Sequence, residues 1–418
     1  MGANTESLSP LLGSAFPPNG LAPEHRRLIA GLQAAIDAEI APRAAENDAR
    51  GRYPTASIAA LKRTGFLKTM VPAAYGGHGV PHRVSLEAQV RLGAADSAVA
   101  QIYKIHDEMI REIFLYSPQA LRPRLAKAVL NEDAIIGLAV AEGGRKVDDP
   151  LTTTALPRPD GGFLINGRKI YTTGAAEADL IGVWAFNPEA PGAADDPLLG
   201  VQLNLVPPSA TGVAIHRDWD ALGQRATDSG TITFTNVATD PAWRANEPGQ
   251  LSPLHASLRY QAGFAAVLIG IGVAAIRAAG AFVATQSRPW PSAGVDNAAD
   301  DPYVRRLVGE LAADLAAAYA ITLATGDLLD AFERGEIDRT SVAIPVYAAK
   351  SAASRAAVRA TSEIFALMGT RSVARGAGFD RFWRNARTLS LHDPLDWKNA
   401  EIGRHALTGW EPPPGLYQ

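Results

Sequence analysis

The chain holds no cysteine in its 418 residues. That absence excludes disulfide frameworks, thiolate zinc sites, iron–sulfur clusters and every cysteine nucleophile. Chemistry must therefore come from other side chains or from a cofactor. Blocks of like charge are missing too: 40 Lys+Arg stand against 43 Asp+Glu, a formal net charge of -3. With no basic run to track a phosphate backbone, nucleic acid is excluded as a main partner. Residues 1–20 are rich in Ser, Pro and Gly and lack a basic segment followed by an apolar one, so no signal peptide is expected. The most apolar stretch, residues 262–275, falls short of a bilayer span and is bracketed by Arg259 and Arg277. These readings predict a cytoplasmic protein with no membrane partner, opening on a disordered leader. The nucleophile elbow, the HExxH pair and the P-loop are absent as well.

What is present has the texture of a globular protein, 47% hydrophobic and 20% charged, long enough for two or three packed lobes. Leu28, Leu32, Ile36 and Ile40 recur at spacings of four, one helix face. Helical patterning continues to about Leu130. From about Ala134 the pattern changes to short β-branched runs separated by Pro/Gly turn clusters, which predicts a small antiparallel barrel or sandwich. From Leu251 long Ala-rich helices return, with Asp300-Asp301-Pro302 as a helix start. Gly270-Ile-Gly272 matches a loose dinucleotide motif but lies inside a helical run with no preceding strand, so helix-packing glycines are expected. The predicted fold is α+β. The expected divisions are a leader (residues 1–23), an N-terminal helical domain (24–133) and a central antiparallel β-barrel domain (134–248). A C-terminal four-helix bundle (249–410) and a tail (411–418) complete the chain.

Few side-chain clusters stand out. His106-Asp107-Glu108 with Glu112 lies on one helix, but without a second histidine nearby it reads as a packing site, and no metal is expected. More informative is Phe379-Asp-Arg-Phe-Trp-Arg-Asn-Ala-Arg-Thr-Leu-Ser-Leu-His-Asp-Pro394. Pro394 forces a turn that would project His392 and Asp393 from an interhelical loop. Two readings stay open at this level: a titratable site pair, or Asp393 as a cap of the following helix.

The helical–β–helical order, with Val71-Pro-Ala-Ala-Tyr-Gly-Gly-His-Gly79, Ile165-Asn-Gly-Arg-Lys-Ile-Tyr-Thr-Thr-Gly174, Leu222-Gly-Gln-Arg-Ala-Thr-Asp-Ser-Gly230 and Arg381-Phe-Trp-Arg-Asn-Ala-Arg387, resembles the acyl-CoA dehydrogenase superfamily. The resemblance covers nearly the whole chain after the leader. It departs from the dehydrogenases where they carry their catalytic glutamate. Residues 254–288 contain no Asp or Glu, and His392-Asp393-Pro394 stands where a Glu-Gly pair is usual. The flavin-pocket strand motif is reduced to Ala141-Glu-Gly-Gly-Arg145. These departures resemble the flavin-dependent monooxygenase branch, which includes organosulfur oxygenases. Supporting segments are Asp218-Trp-Asp-Ala-Leu-Gly223, Thr285-Gln-Ser-Arg-Pro-Trp290 and Asp300-Asp-Pro-Tyr303.

For this chain the resemblance implies FMN, with FAD as the alternative, delivered reduced by a separate flavin reductase. Reaction with O2 would give a flavin C4a-hydroperoxide that oxygenates a small, sulfur-containing substrate. It implies His392, His106 and Asp393 as catalytic residues. Tyr171, Thr173, Trp219 and Ser229 would line the flavin, and Arg288 and Arg371 would hold its phosphate. Leu138 stands where the sulfur oxygenases carry a polar Asn. A homotetramer is implied. The alternatives are an acyl-CoA dehydrogenase or oxidase with Asp393 as base, an amine N-hydroxylase, and a catalytically silent binding protein.

Overall fold

A computed structural model describes residues 16–144, 146, 149–250 and 256–415. Residues 1–15 of the expected leader, Arg145 of the reduced strand motif and residues 416–418 of the expected tail lie outside the described residues. The leader is not disordered throughout. From Phe16 onward it packs on the core: the Phe16 ring meets Tyr319 edge-on at 5.4 Å, and Asn19 and Leu21 are buried.

The N-terminal region comprises α1 (Pro23–Ala35), α2 (Ala44–Arg50), α3 (Thr55–Arg63), α4 (His82–Ala95), α5 (Ser97–Tyr116) and α6 (Leu121–Asn131). A single residue, Asp96, separates α4 from α5. Its side chain caps α5 by accepting from the Ala98 and Val99 N–H groups at 3.0 and 3.4 Å. Its other oxygen accepts from Asn47 at 2.8 Å, tying α2 to this corner. One carboxylate thus ends one helix, starts the next and fixes a third.

The central region carries β1 (Ile136–Ala139), β2 (Thr154–Pro157), β3 (Phe163–Lys169), β4 (Leu180–Phe186), β5 (Val201–Val206), β6 (Val213–His216) and β7 (Thr231–Ala238). They form one seven-stranded sheet in the order β1-β4-β2-β3-β7-β6, with β5 on β4. The sheet is mixed rather than antiparallel as expected. β1 runs parallel to β4, Ile136 opposite Leu180, and β2 touches β4 in parallel at Thr154 and Phe186. The reason is topological: a parallel pair needs a crossover, and the β2–β3 hairpin, which follows β1 and precedes β4 in sequence, supplies it. Short strands with turns between them could not reveal that.

The C-terminal region comprises α7 (Ala256–Thr285), α8 (Pro302–Glu333), α9 (Arg339–Met368), α10 (Asp380–Ser390) and α11 (Leu395–Thr408). Asp301 caps α8 through the Tyr303 N–H at 2.8 Å, with proline at the first turn, as the sequence suggests. α7 spans 30 residues, longer than its most apolar stretch and long enough to cross a bilayer. Instead it is enclosed by α4, α5, α8, α9 and α10, which accounts for an apolar surface all round. Gly270 is a packing glycine: a Cβ there would sit 2.3 Å from the Val90 carbonyl oxygen and 2.7 Å from the Ala94 nitrogen.

Gly270→Ala should therefore lower stability by about 1–3 kcal/mol through overpacking. Gly309→Ala, on exposed α8 with open space around the position, should raise it by about 0.5–1 kcal/mol. Chemical denaturation of both variants checks the pair; equal effects would show that α7 does not approach α4 this closely.

Candidate functional site

Phe264, on the buried face of α7, is the floor of the site. Three polar groups from three other elements converge on its ring. The His392 imidazole packs against it with centroids 4.0 Å apart. Lys104 Nζ of α5 lies 3.8 Å from the ring centroid, and Lys350 Nζ of α9 lies 4.7 Å from it. His392 reaches this place because α10 ends at Ser390 and Pro394 opens α11, leaving a short turn between two helices.

The His392 side chain is 45% exposed, whereas Asp393 beside it is 9% exposed. His392 therefore stands in a recess, open on one side and crowded by protein on the others. Burial pushes its imidazole below the ordinary histidine range, partly countered by Asp393. Asp393 Oδ1 faces His392 Nδ1 at 3.6 Å, and Oδ2 has no hydrogen-bond partner. The cap position of α11 is Pro394, with no side-chain cap bond, which removes the reading of Asp393 as its cap. Burial would raise the Asp393 carboxyl, but His392, Lys350 and Lys398 outweigh it and hold the group below the usual carboxylate range.

Lys104 pairs with Glu108 one turn along α5 at 2.8 Å, both buried. Desolvation lowers the Lys104 ammonium and raises Glu108 to about 7. Sequence reasoning passed over Lys104 and Lys350 and read Glu108 only as part of a packing cluster. The available signal was a Lys-to-Glu (i, i+4) pair, usually a solvated helix face but here buried on α5 among apolar residues and other charged ones.

The wall of the site comes from the central region and is a chain of hydroxyls. Thr173 Oγ1 and Ser229 Oγ are 2.9 Å apart, Ser229 Oγ and Thr227 Oγ1 2.7 Å, and Gln101 donates to Thr173 at 3.3 Å. Gln224 binds the wall to α5 by accepting from Ser97 at 2.6 Å and donating to Gln101 at 2.7 Å. Its carbonyl accepts the Trp219 indole N–H at 3.0 Å. Trp219 meets the Tyr171 ring edge-on at 5.8 Å, and Tyr171 is 63% exposed. Tyr171, Gln224 and Asp228 all have φ near +50°, a left-handed conformation costly for non-glycine residues and concentrated at functional loops. Leu138 donates its backbone N–H to the Thr173 carbonyl at 3.2 Å, so it lies beside the wall.

A third group stands apart. Arg288 and Arg371 line one recess of about 530 Å³, where the end of α7 and the start of α8 meet the end of α9. The Arg371 guanidinium is anchored by donating to the Gln286 carbonyl. The structure thus brings Tyr171, Thr173, Trp219 and Ser229 together, and separately Arg288 with Arg371. No contact within the described residues of one chain joins the two groups.

His106 is held by the scaffold. It is fully buried; its Nδ1 accepts the Ile136 N–H at 3.0 Å and its Nε2 donates to the Leu67 carbonyl at 2.8 Å. Both nitrogens are consumed in stitching α5 to β1 and to the turn before Met70. Burial lowers its pKa to about 4. Glu142 of the reduced strand motif is likewise structural. Its carboxylate accepts from Lys169 at 2.6 Å and from the Thr152 and Thr153 N–H groups. Although burial raises it, these donors prevail and hold it at about 2.

His106→Ala should leave two buried backbone groups unpaired and cost about 2–4 kcal/mol. The remaining folded fraction should keep its activity. The stabilisation is full above the unfolded histidine pKa of about 6.5 and is lost as pH falls toward about 4. Unfolding followed across that window checks it; a stable variant lacking turnover would restore His106 to the chemistry.

Comparison with known proteins agrees with this architecture. Family models of the acyl-CoA dehydrogenase N-terminal, middle and C-terminal domains match residues 22–133, 137–237 and 262–397. The dibenzothiophene monooxygenase of Rhodococcus qingshengii is 34% identical over 391 residues, covering 89% of this chain and 91% of that protein. The probable FMNH2-dependent monooxygenase SfnC of Pseudomonas putida is 31% identical over 389 residues, covering 91% and 94%. The crystal structure of FMN-bound TdsC from Paenibacillus sp. A11-2 superposes with a TM-score of 0.88 at 30% identity, covering 94% of this chain and all of that one. The chain belongs to the acyl-CoA dehydrogenase family.

Proposed function

We propose that the chain is a two-component flavin-dependent monooxygenase. It takes reduced FMN from a separate flavin reductase and transfers one oxygen atom of O2 to a small, sulfur-containing organic substrate, the other oxygen leaving as water. The observation that carries this reading is His392 on the Phe264 floor, where a dehydrogenase needs a glutamate. The names of the relatives, an organosulfur and an FMNH2-dependent monooxygenase, support it.

The residues suit FMN. The buried Thr173 and Ser229 hydroxyls offer hydrogen bonds to the edge of a polar ring system, and the exposed Tyr171–Trp219 pair offers aromatic surface beside it. Arg288 and Arg371 offer guanidinium forks to a phosphate. Bound reduced flavin supplies the electrons that activate O2. The chain's own residues do the rest. Arg288 and Arg371 hold the phosphate, the wall orients the ring, and His392 holds or passes a proton at Nε2 while Nδ1 faces Asp393. Leu138 beside Thr173 makes the reacting space less polar than an Asn would. Because wall and arginines are separate within one chain, we read the arginines as serving a second copy, in a homotetramer. FAD remains the alternative cofactor. We place the enzyme in the cytoplasm, and read α7, α8, α9 and α10 as its four-helix bundle.

The dehydrogenase alternative asks Asp393 to remove a proton. That carboxylate is buried, faces His392 and is held ionised, a weak base. Incubation with reduced FMN, O2 and a panel of thioethers, sulfones and amines should give oxygenated product. Bleaching of bound flavin by acyl-CoA without oxygenated product would overturn the proposal. His392→Ala should keep FMN affinity, measured by fluorescence quenching, while product formation falls by about 10²-fold or more; wild-type turnover would remove His392 from the mechanism.

A further inference from the structure

Three buried ammonium groups face the His392–Asp393 turn from behind: Lys104 on α5, Lys350 on α9 and Lys398 on α11. Lys104 is paired with Glu108 at 2.8 Å and Lys398 with Glu401 at 3.4 Å. Lys350 is different. It is 1% exposed, and its Nζ has no hydrogen-bond partner. Asp393 Oδ2 is in the same condition, buried and without a partner. The remaining titratable neighbours are the Tyr260 hydroxyl of α7, bound to Glu112 at 3.1 Å, and the Tyr347 hydroxyl of α9. The last turn of α10, Thr388-Leu389-Ser390, brings no charge. Once the paired charges are set against each other, one cation and one anion remain near the imidazole among the described residues: Lys350 and Asp393.

Burying an unpaired ammonium in the middle of a helix costs several kcal/mol, and a leucine or methionine would fill the same space. We infer that Lys350 is a positioning residue: acting on Asp393 beside the Phe264 ring, its ammonium sets how His392 is held and how readily the imidazole carries a proton. The interaction works through the field rather than through contact, which is effective where little water screens it. Its direction on each group is defined. The cation favours ionised Asp393 and disfavours protonated His392. Lys350 itself is lowered by burial to about 8, so near neutral pH it still carries most of its charge.

The catalytic consequence rests on the monooxygenase reading; the electrostatic one does not. The test therefore begins on flavin-free protein with labelled histidine, following the imidazole resonances against pH and assigning His392 by its loss in His392→Ala. Lys350→Met should move the His392 midpoint upward, and Lys350→Arg should return it near the wild-type value. Lys350→Gln, which keeps polarity and length, must show the same upward shift if the methionine variant does not fold. In turnover with reduced FMN and a thioether, Lys350→Met should lower kcat about tenfold with KM unchanged and displace the acid limb of the pH profile upward, while FMN affinity holds. An unmoved His392 midpoint in a folded Lys350→Met or Lys350→Gln protein would overturn the inference. So would an equal shift in Lys350→Arg, which keeps the positive charge; a purely structural role would lower the melting temperature and leave the titration alone. A shifted midpoint without any oxygenated product would defeat the monooxygenase reading and leave Lys350 in its place.

Discussion

The enclosure of α7 is the constraint on which the rest depends. A helix surrounded by five others leaves little room for charge: among its described residues only Arg259 and Arg277, toward its two ends, are charged. Its middle is accordingly apolar and its backbone lies close to α4 at Gly270. The floor of the site is part of this helix. Everything polar that works above Phe264 must be delivered by other elements: an imidazole from the α10–α11 turn, ammonium groups from α5 and α9, and hydroxyls from the central sheet. The loss of an acidic residue from α7 and the gathering of charges around its aromatic ring are two sides of one arrangement.

The charged residue near the start of α7 follows the same logic. Arg259 is buried and meets Glu112 of α5 at 3.7 Å and Glu333 of α8 at 3.4 Å. Glu333 is also bound by His82 and Arg111, and these donors prevail over burial to hold it at about 2. His82, Asp330 and Glu333 lie close enough to suggest a cation site, yet Arg111 and Arg259 already balance the acids there. This network fixes the ends of α4, α5, α7 and α8 relative to one another.

What could be read from the sequence follows from the range of the forces involved. Helix starts such as Asp301-Pro302, the sense of Gly270-Ile-Gly272 and the turn at Pro394 depend on neighbours a few residues away, so local pattern was enough. The parallel pairing of β1 with β4 depends on residues more than forty positions apart and left no local trace. That Tyr171, Thr173, Trp219 and Ser229 lie together was legible because their motifs are shared across a family. Resemblance also placed His106 at the site, but only coordinates show that both its ring nitrogens bond the backbone. Lys350 was invisible, since a lysine in an Ala-rich helix looks solvated until the helix is seen from all sides.

One contact couples the two halves of the site mechanically. Gly223 has no side chain, which lets its loop press against α10; a Cβ would lie 2.1 Å from the Arg384 carbonyl oxygen. The next residue fastens the contact, the Gln224 N–H donating to Asn385 at 2.7 Å. Gln224 is also the hub of the hydroxyl wall, and α10 ends in the turn that bears His392. Wall and imidazole are therefore mounted on one yoke. A shift of α10 acts on both at once, on the imidazole through its turn and on the wall through the Gln224–Asn385 bond, while Ser97 and Gln101 of α5 hold Gln224 from the other side.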